Sequence, residues 1–343
     1  MREREFGADV VRILAVCLVF WLHFYLRNGF YYTPVDNLAG FIAVAFRPVF
    51  MCCIPLFLIL TGYLKCGKPW KWSGYCSILP ILTSYMLISM VHLLYKILIK
   101  KEIKPVSEWI QDFLGFRLAN YGWYIGMYIG LFLLCPLMVR LWESGRNRKE
   151  HVAMILSLVM VTFLPSTVNV FAPDSDMNIL PTYFTGMYYI TYFLTGCYIR
   201  TYRPKVRVRI ALPVIFLLGM LQSGMNLLTR EEADNYYSGY SSDYSNLLIV
   251  VMAVLLFLSV YDLRCKIPWI RRGAAVVSGV VWEMYLISYI FDSNIYKLYF
   301  GKYSMGSYPW VGFLMTAAVF GFSFLTGKLI HAVTSGLLIK FGK

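Results

Sequence analysis

The chain has 343 residues, 59% hydrophobic and 15% charged, with a mean hydropathy of +0.61. Soluble domains carry roughly a quarter charged residues, so this chain cannot cover a water-facing surface. The net charge of +14 would point to nucleic acid in a soluble domain; in so apolar a chain it reads as topological, an excess of Lys and Arg in cytoplasmic loops.

Only helices or closed barrels satisfy the backbone in lipid. The apolar runs are long and continuous, without the alternation of a barrel strand. They predict an all-α, polytopic membrane bundle. At about 20 residues per span the chain accommodates about ten transmembrane helices in a single domain over 1–343. In chain order they fall near 8–27, 39–63, 76–99, 122–139, 152–171, 182–199, 210–228, 246–261, 274–291 and 311–337. No small-residue cleavage site follows the first run, so it is expected to remain as a span.

The connections divide into two sets. KCGKPWK (65–71), RLWESGRNRKEH (140–151), RTYRPKVRVR (200–209) and RCKIPWIRR (264–272) are basic and are read as cytoplasmic. The loops at 29–38, 172–181, 230–246 and 291–310 are poorer in Lys and Arg and are read as outer. An even number of spans then places both termini in the cytoplasm. KKEIKPVSEWIQDFLGFR (100–117) strains this rule, being outer yet carrying Lys100, Lys101, Lys104 and Arg117. Its amphipathic SEWIQDFLGF stretch predicts a helix lying on the membrane surface. KPWKW (68–72) and SYPW (307–310) read as interfacial aromatic anchors. All eight cysteines fall in spans or inner loops, so no structural disulfide is expected. No Cys/His spacing points to a metal, and no P-loop or dinucleotide fingerprint is present.

Ionisable residues inside a span are costly and usually face a partner or a cavity. The first span carries Asp9, Arg12 and His23. Eleven residues of helix return to within about 20° of the start, some 16 Å along the axis. Arg12 and His23 therefore share one face, and Asp9 is one turn from Arg12, spaced for an ion pair. The bland alternatives are boundary charges that snorkel to the interface and a hydrogen-bonded packing histidine. Arg47, His92 and Glu283 are the other intramembrane candidates. Glu283 would need a partner such as His23 or Arg47. His151 and His331 read as inner-boundary residues without a chemical role.

Several segments taken together resemble the membrane-bound acyltransferase-3 family. DVVRILAVCLVFWLH (9–23) is similar to the family's first-helix pattern of an arginine, ten residues and a histidine. CIPLFLILTGYL (53–64), GWYIGMYIGLFLLCPLM (122–138), YYITYFLTGCYI (188–199) and WEMYLIS (282–288) resemble further family segments in the same order. Thr61 stands where the family usually has Ser, Tyr121 where His is frequent, and Ser288 where a late His is usual. Lysines at 68–71 replace a paired-arginine pattern.

The resemblance implies O-acylation: an acyl group, usually acetyl, moves from a cytoplasmic acyl-CoA to an acceptor hydroxyl at or beyond the outer face. It implies His23 as base or acyl carrier, Glu283 orienting or protonating it, and Arg12 with Asp9 holding the donor phosphates. Arg47, Thr61, Trp123 and Tyr124 are pocket candidates, Thr61 and Tyr124 as oxyanion donors. The expected cosubstrate is acetyl-CoA or another acyl-CoA, with no permanently bound cofactor and no metal. Expected partners are membrane lipid and a saccharide or lipid-linked acceptor, with no nucleic acid; the oligomeric state is left open. The expected location is a cell membrane, multi-pass, as in the bacterial cytoplasmic membrane. The competing reading is a polysaccharide or lipid-linked sugar transporter or flippase. The absence of an evident internal repeat counts mildly against it.

Overall fold

Apolar side chains occupy almost every face of the first helix, and the fold uses this by wrapping other helices around it. The computed structural model describes residues 5–32, 35, 37–68, 72–171, 178–228, 243–298 and 307–341. In chain order the helices are α1 (Phe6–Arg27), α2 (Leu38–Phe50), α3 (Cys53–Lys65), α4 (Leu79–Leu94), α5 (Val106–Leu114), α6 (Trp123–Ser144) and α7 (Arg148–Thr162). They continue with α8 (Leu164–Val168), α9 (Tyr188–Tyr202), α10 (Val208–Leu228), α11 (Leu247–Val260), α12 (Pro268–Gly279), α13 (Val281–Ile295) and α14 (Tyr308–Phe341). No strand occurs among the described residues. α1 packs against α2, α3, α11, α12, α13 and α14, which buries Val11, Ala15, Val16 and Phe24 completely.

All ten predicted apolar segments are helical, but they are not ten uniform spans. Among the described residues six helical stretches are long and apolar enough to cross a membrane, α2 and α3 together forming one of them, and the bent pair α12–α13 makes a seventh if counted as one span. α7 and α9 have 15 residues each and α11 has 14. At about 1.5 Å per residue these fall short of a hydrocarbon core about 30 Å thick. The segment expected at 39–63 is divided at Met51–Cys52 into α2 and α3, with Pro48 inside the first and Pro55 near the start of the second. The segment expected at 274–291 is broken more sharply: α12 and α13 meet at a bend of 65° around Val280. Hydropathy does not register such a break, because Gly279, Val280 and Val281 are all apolar.

The basic connections gather at the end of the bundle where α1 begins. Arg200 stands 2.6 Å from Glu5, and Tyr63 donates to Glu5 at 2.6 Å. Arg148 donates to Tyr198 at 2.9 Å, close to Arg200 on the same helix. Burial works against the Glu5 carboxylate, but hydrogen bonds from Tyr63 and Arg200 outweigh it and hold its pKa below the ordinary value. The opposite end carries the expected surface helix. α5 buries none of its residues and is tied to the bundle where Tyr85 donates to the Phe113 carbonyl at 2.6 Å. There the hydrogen bond from Lys104 holds the Asp112 carboxyl below its usual range. Most of the Tyr/Ser-rich loop at 230–246, the start of 172–181 and residues 299–306 lie outside the described residues.

α3 and α9 pack backbone against backbone. A Cβ on Gly62 would run into the Phe193 carbonyl, and one on Gly196 into the Ile59 carbonyl. Small residues let helix backbones approach in this way, and packing rather than hydrophobicity holds helices together in lipid. Gly196→Val should therefore cost at least the 1–3 kcal/mol typical of overpacking, as an approximate figure. Thermal unfolding of the purified protein in detergent measures it; an unchanged midpoint would mean that the two helices do not need this contact.

Candidate functional site

Because α1 runs the length of the bundle, its polar residues build two clusters. At its N-terminal end Arg12 Nη1 lies 3.2 Å from Asp9 Oδ1 and 3.2 Å from Ser278 Oγ, and Ser278 donates to Asp9 at 2.7 Å. Ser278 is available here because α12 breaks just after it. The cluster opens onto a cavity of about 230 Å³ lined by Arg12, Thr61, Tyr124, Tyr128, Trp282 and Tyr285, among others. Lys65 lines this cavity and also a neighbouring one of about 310 Å³ that includes Lys68 and Arg140. An aromatic chamber with cations at one end suits an apolar arm that carries anionic groups behind it.

The second cluster lies about three to four turns further along α1. His23 Nδ1 stands 3.2 Å from Asp292 Oδ2, an ion-pair approach that is not aligned as a hydrogen bond. Catalytic contacts are often loose in unliganded sites. Arg27 Nε is 2.8 Å from Asp292 Oδ1. Tyr121 donates to Asp292 Oδ2 at 2.5 Å, accepts from Arg27 Nη2 at 2.9 Å, and stacks on the His23 ring with centroids 3.8 Å apart. The Asp292 side chain is wholly buried and that of His23 is 9% exposed. The tight turn before α6 delivers Tyr121: a Cβ on Gly122 would strike the Phe116 carbonyl. Tyr285 links the two clusters. It lines the cavity and donates to the Tyr121 carbonyl at 2.8 Å.

A carboxylate at Nδ1 holds an imidazole in the tautomer whose Nε2 carries the lone pair. Such a ring can take a proton or attack a carbonyl, and the carboxylate stabilises the imidazolium that results. Arg27 offsets the Asp292 charge, so the unit is close to neutral while His23 is neutral.

Of the residues singled out in the sequence, Asp9, Arg12, Thr61 and Tyr124 come together at the cavity and its mouth. Thr61 spends its hydroxyl proton on the Phe57 carbonyl at 2.8 Å, whereas the Tyr124 hydroxyl makes no hydrogen bond among the described residues. His23 sits in the second cluster, beyond Tyr285.

Three candidates stand elsewhere. Glu283, expected to meet His23 or Arg47, accepts from Ser84 at 3.0 Å and lies 2.9 Å from His331 Nδ1. Arg47 donates to Tyr31 at 3.0 Å and lies over its ring. Trp123 is 46% exposed and stacks on Tyr244. His151 uses both ring nitrogens, on Tyr202 and on the Trp142 carbonyl, as a packing residue would. Among the described residues no three His, Cys, Asp or Glu side chains are grouped to hold a metal ion.

Asp292, Arg27 and Tyr121 as a partner of His23 were not found from the sequence. Asp292 ends an apolar run, where hydropathy alone places the start of an outer loop. Its signal was its position seven residues after Tyr285, on the same helical face.

A family model described as an acyltransferase domain matches residues 6–328, nearly the whole chain. Neither the curated proteins nor the solved structures contain a match. The two acids are separable by substitution. Asp292→Asn should lower turnover by about 10²–10⁴-fold, while Glu283→Gln should leave it within about tenfold and act mainly on stability. Steady-state rates of the two purified variants check this; the opposite order would make Glu283 the acid on which turnover depends.

Proposed function

The chain belongs to the acyltransferase-3 family of membrane acyltransferases, and we propose that it transfers an acyl group, acetyl by default, from a cytoplasmic acyl-CoA to a hydroxyl of a cell-envelope glycan or a related acceptor. The observation that carries this reading is the buried His23–Asp292 pair, standing behind an aromatic cavity with Arg12 at its mouth. In this reading the bundle crosses the bacterial cytoplasmic membrane ten times, the shorter helices included, with both termini and the basic connections in the cytoplasm. The donor then enters at the Arg12 end. Its phosphates meet Arg12 and the basic connections through charge-assisted hydrogen bonds, and its thioester arm follows the aromatic cavity towards Tyr285 and His23.

Two routes use the same residues. In direct transfer, His23 Nε2 takes the acceptor's hydroxyl proton as the oxygen attacks the thioester carbonyl. The carbon–sulfur bond then breaks, and the imidazolium returns the proton to the departing thiolate. In the covalent route, Nε2 itself attacks the thioester and releases the thiolate, and the acyl-imidazole is then opened by the acceptor hydroxyl. Asp292 holds Nδ1 in both. The Tyr124 hydroxyl is positioned in the cavity wall to donate to the developing oxyanion.

His23→Ala should reduce transfer or hydrolysis of radiolabelled acetyl-CoA by at least about 10²-fold. Arg12→Ala should raise the donor KM by about tenfold or more with a smaller effect on kcat. Wild-type rates from a well-folded His23→Ala variant would end this mechanism, and an unchanged donor KM in Arg12→Ala would remove Arg12 from the donor site.

A further inference from the structure

The aromatic cavity offers more hydrogen-bonding groups than a reaction at one carbonyl uses. Tyr124 and Tyr128 both line it. They are one turn apart on the same face of α6, a rise of about 6 Å, and their ring centroids lie 6.3 Å apart. Trp282, just beyond the break between α12 and α13, packs against both rings, at 6.0 and 5.7 Å, and holds them on one wall. Among the described residues neither hydroxyl makes a hydrogen bond, and neither is sealed in the packing. An alkyl chain filling this space would cost each phenol its hydrogen bond with water. The pair therefore favours an occupant with a polar atom at each hydroxyl over a lipid tail.

The row of rings also has a direction. Tyr124 meets the Tyr285 ring at 5.8 Å, and Tyr285 leads on to Tyr121 and His23. Tyr128 stands one turn away from this, towards the cations, and the Arg12 guanidinium acts on its phenol electrostatically. A further turn along α6, Phe132 meets Tyr128 at 6.4 Å. Phe132 lines the neighbouring cavity and carries the Lys65 ammonium over its ring at 4.9 Å. From the cations inward the order is thus Tyr128, Tyr124, Tyr285, His23. A pantetheine arm has its parts in the same order: an anionic end, amides, then the thioester. Extended, its nearest amide carbonyl lies about 6 Å from the thioester carbonyl, which matches the rise between Tyr128 and Tyr124.

We propose that Tyr128 binds the pantetheine arm of the donor: its hydroxyl donates to the carbonyl of the amide nearest the thioester while Tyr124 faces the thioester carbonyl, so two adjacent turns of α6 fix how far the arm enters. This rests on the acyltransferase reading and narrows its donor to a pantetheine thioester. The arm has two sources, a free acyl-CoA or a phosphopantetheine group on a carrier protein.

The test uses the full-length protein in nanodiscs, with dissociation constants for CoA, 4′-phosphopantetheine and adenosine 3′,5′-bisphosphate read by isothermal titration. Tyr128→Phe removes only an oxygen that bonds no described residue, so the ligand-free unfolding midpoint stays where it is. The variant binds CoA and 4′-phosphopantetheine about five- to tenfold more weakly, the loss of one hydrogen bond, and binds adenosine 3′,5′-bisphosphate, which has no arm, as wild type does. With acetyl-CoA as donor its KM rises by a similar factor, with a smaller effect on kcat. For a free acyl-CoA, the bisphosphate binds and CoA binds more tightly than 4′-phosphopantetheine. For a carrier-borne arm, the bisphosphate is silent and CoA gains nothing over 4′-phosphopantetheine. The role of Tyr128 is overturned if Tyr128→Phe binds both arm ligands as tightly as wild type, if it weakens all three ligands alike, or if wild type binds neither arm ligand. Tyr128-dependent CoA binding in a protein that turns over no acyl-CoA would keep the arm site and sink the acyltransfer chemistry.

Discussion

A carboxylate buried without water must be neutralised where it stands, and Asp292 sets the terms for this end of the molecule. Removing an ion from water costs several kcal/mol even after relaxation, as an approximate figure, and is recovered only through close, well-aimed partners. Asp292 draws its partners from separate parts of the chain: Tyr121, from the turn before α6, donates a hydrogen bond to it, and Arg27 and His23, from α1, approach it as ion pairs. The same contacts fix the register of α1 against α13 and bring the aromatic ring of Tyr121 over the imidazole. One interaction therefore ties three parts of the fold together.

At the other end of α1 the bundle solves a similar problem by breaking a helix. The bend between α12 and α13 lets Ser278 reach Asp9, which in turn holds Arg12. Irregular backbone at membrane depth is tolerated where it lines a cavity, and this break does so: Ser278, Gly279 and Val281 all contribute to the wall of the aromatic chamber. The two clusters are then about 16 Å apart along α1, with the Tyr285–Tyr121 contact between them. That separation suits a donor whose charged part and reactive carbonyl are far apart.

The sequence made the membrane class, the helical segments and the Arg12/His23 alignment legible, because apolar run length and helical period are local properties. The surface helix at 106–114 was legible for the same reason. Tertiary pairing was not. Glu283 looked like the partner of His23 because it is the acid deepest in an apolar run, yet the 34-residue α14 brings His331 to it. Asp292 looked like loop because hydropathy ends a span at its first acid; a buried, paired carboxylate has the same letter as a solvated one. Arg47 and Trp123 carried no local sign that Tyr31 and Tyr244 would occupy them. The break at Val280 was hidden by a run of residues all compatible with lipid.

The account depends on His23 and Asp292 acting as one unit. The most direct measurement is acetyl-CoA turnover by the purified His23→Ala and Asp292→Asn variants and by the double variant. Residues that act together are strongly non-additive, so the double variant should be no slower than His23→Ala alone. Losses that multiply in the double variant would show that Asp292 contributes independently of His23, and would contradict the pair as the reaction centre.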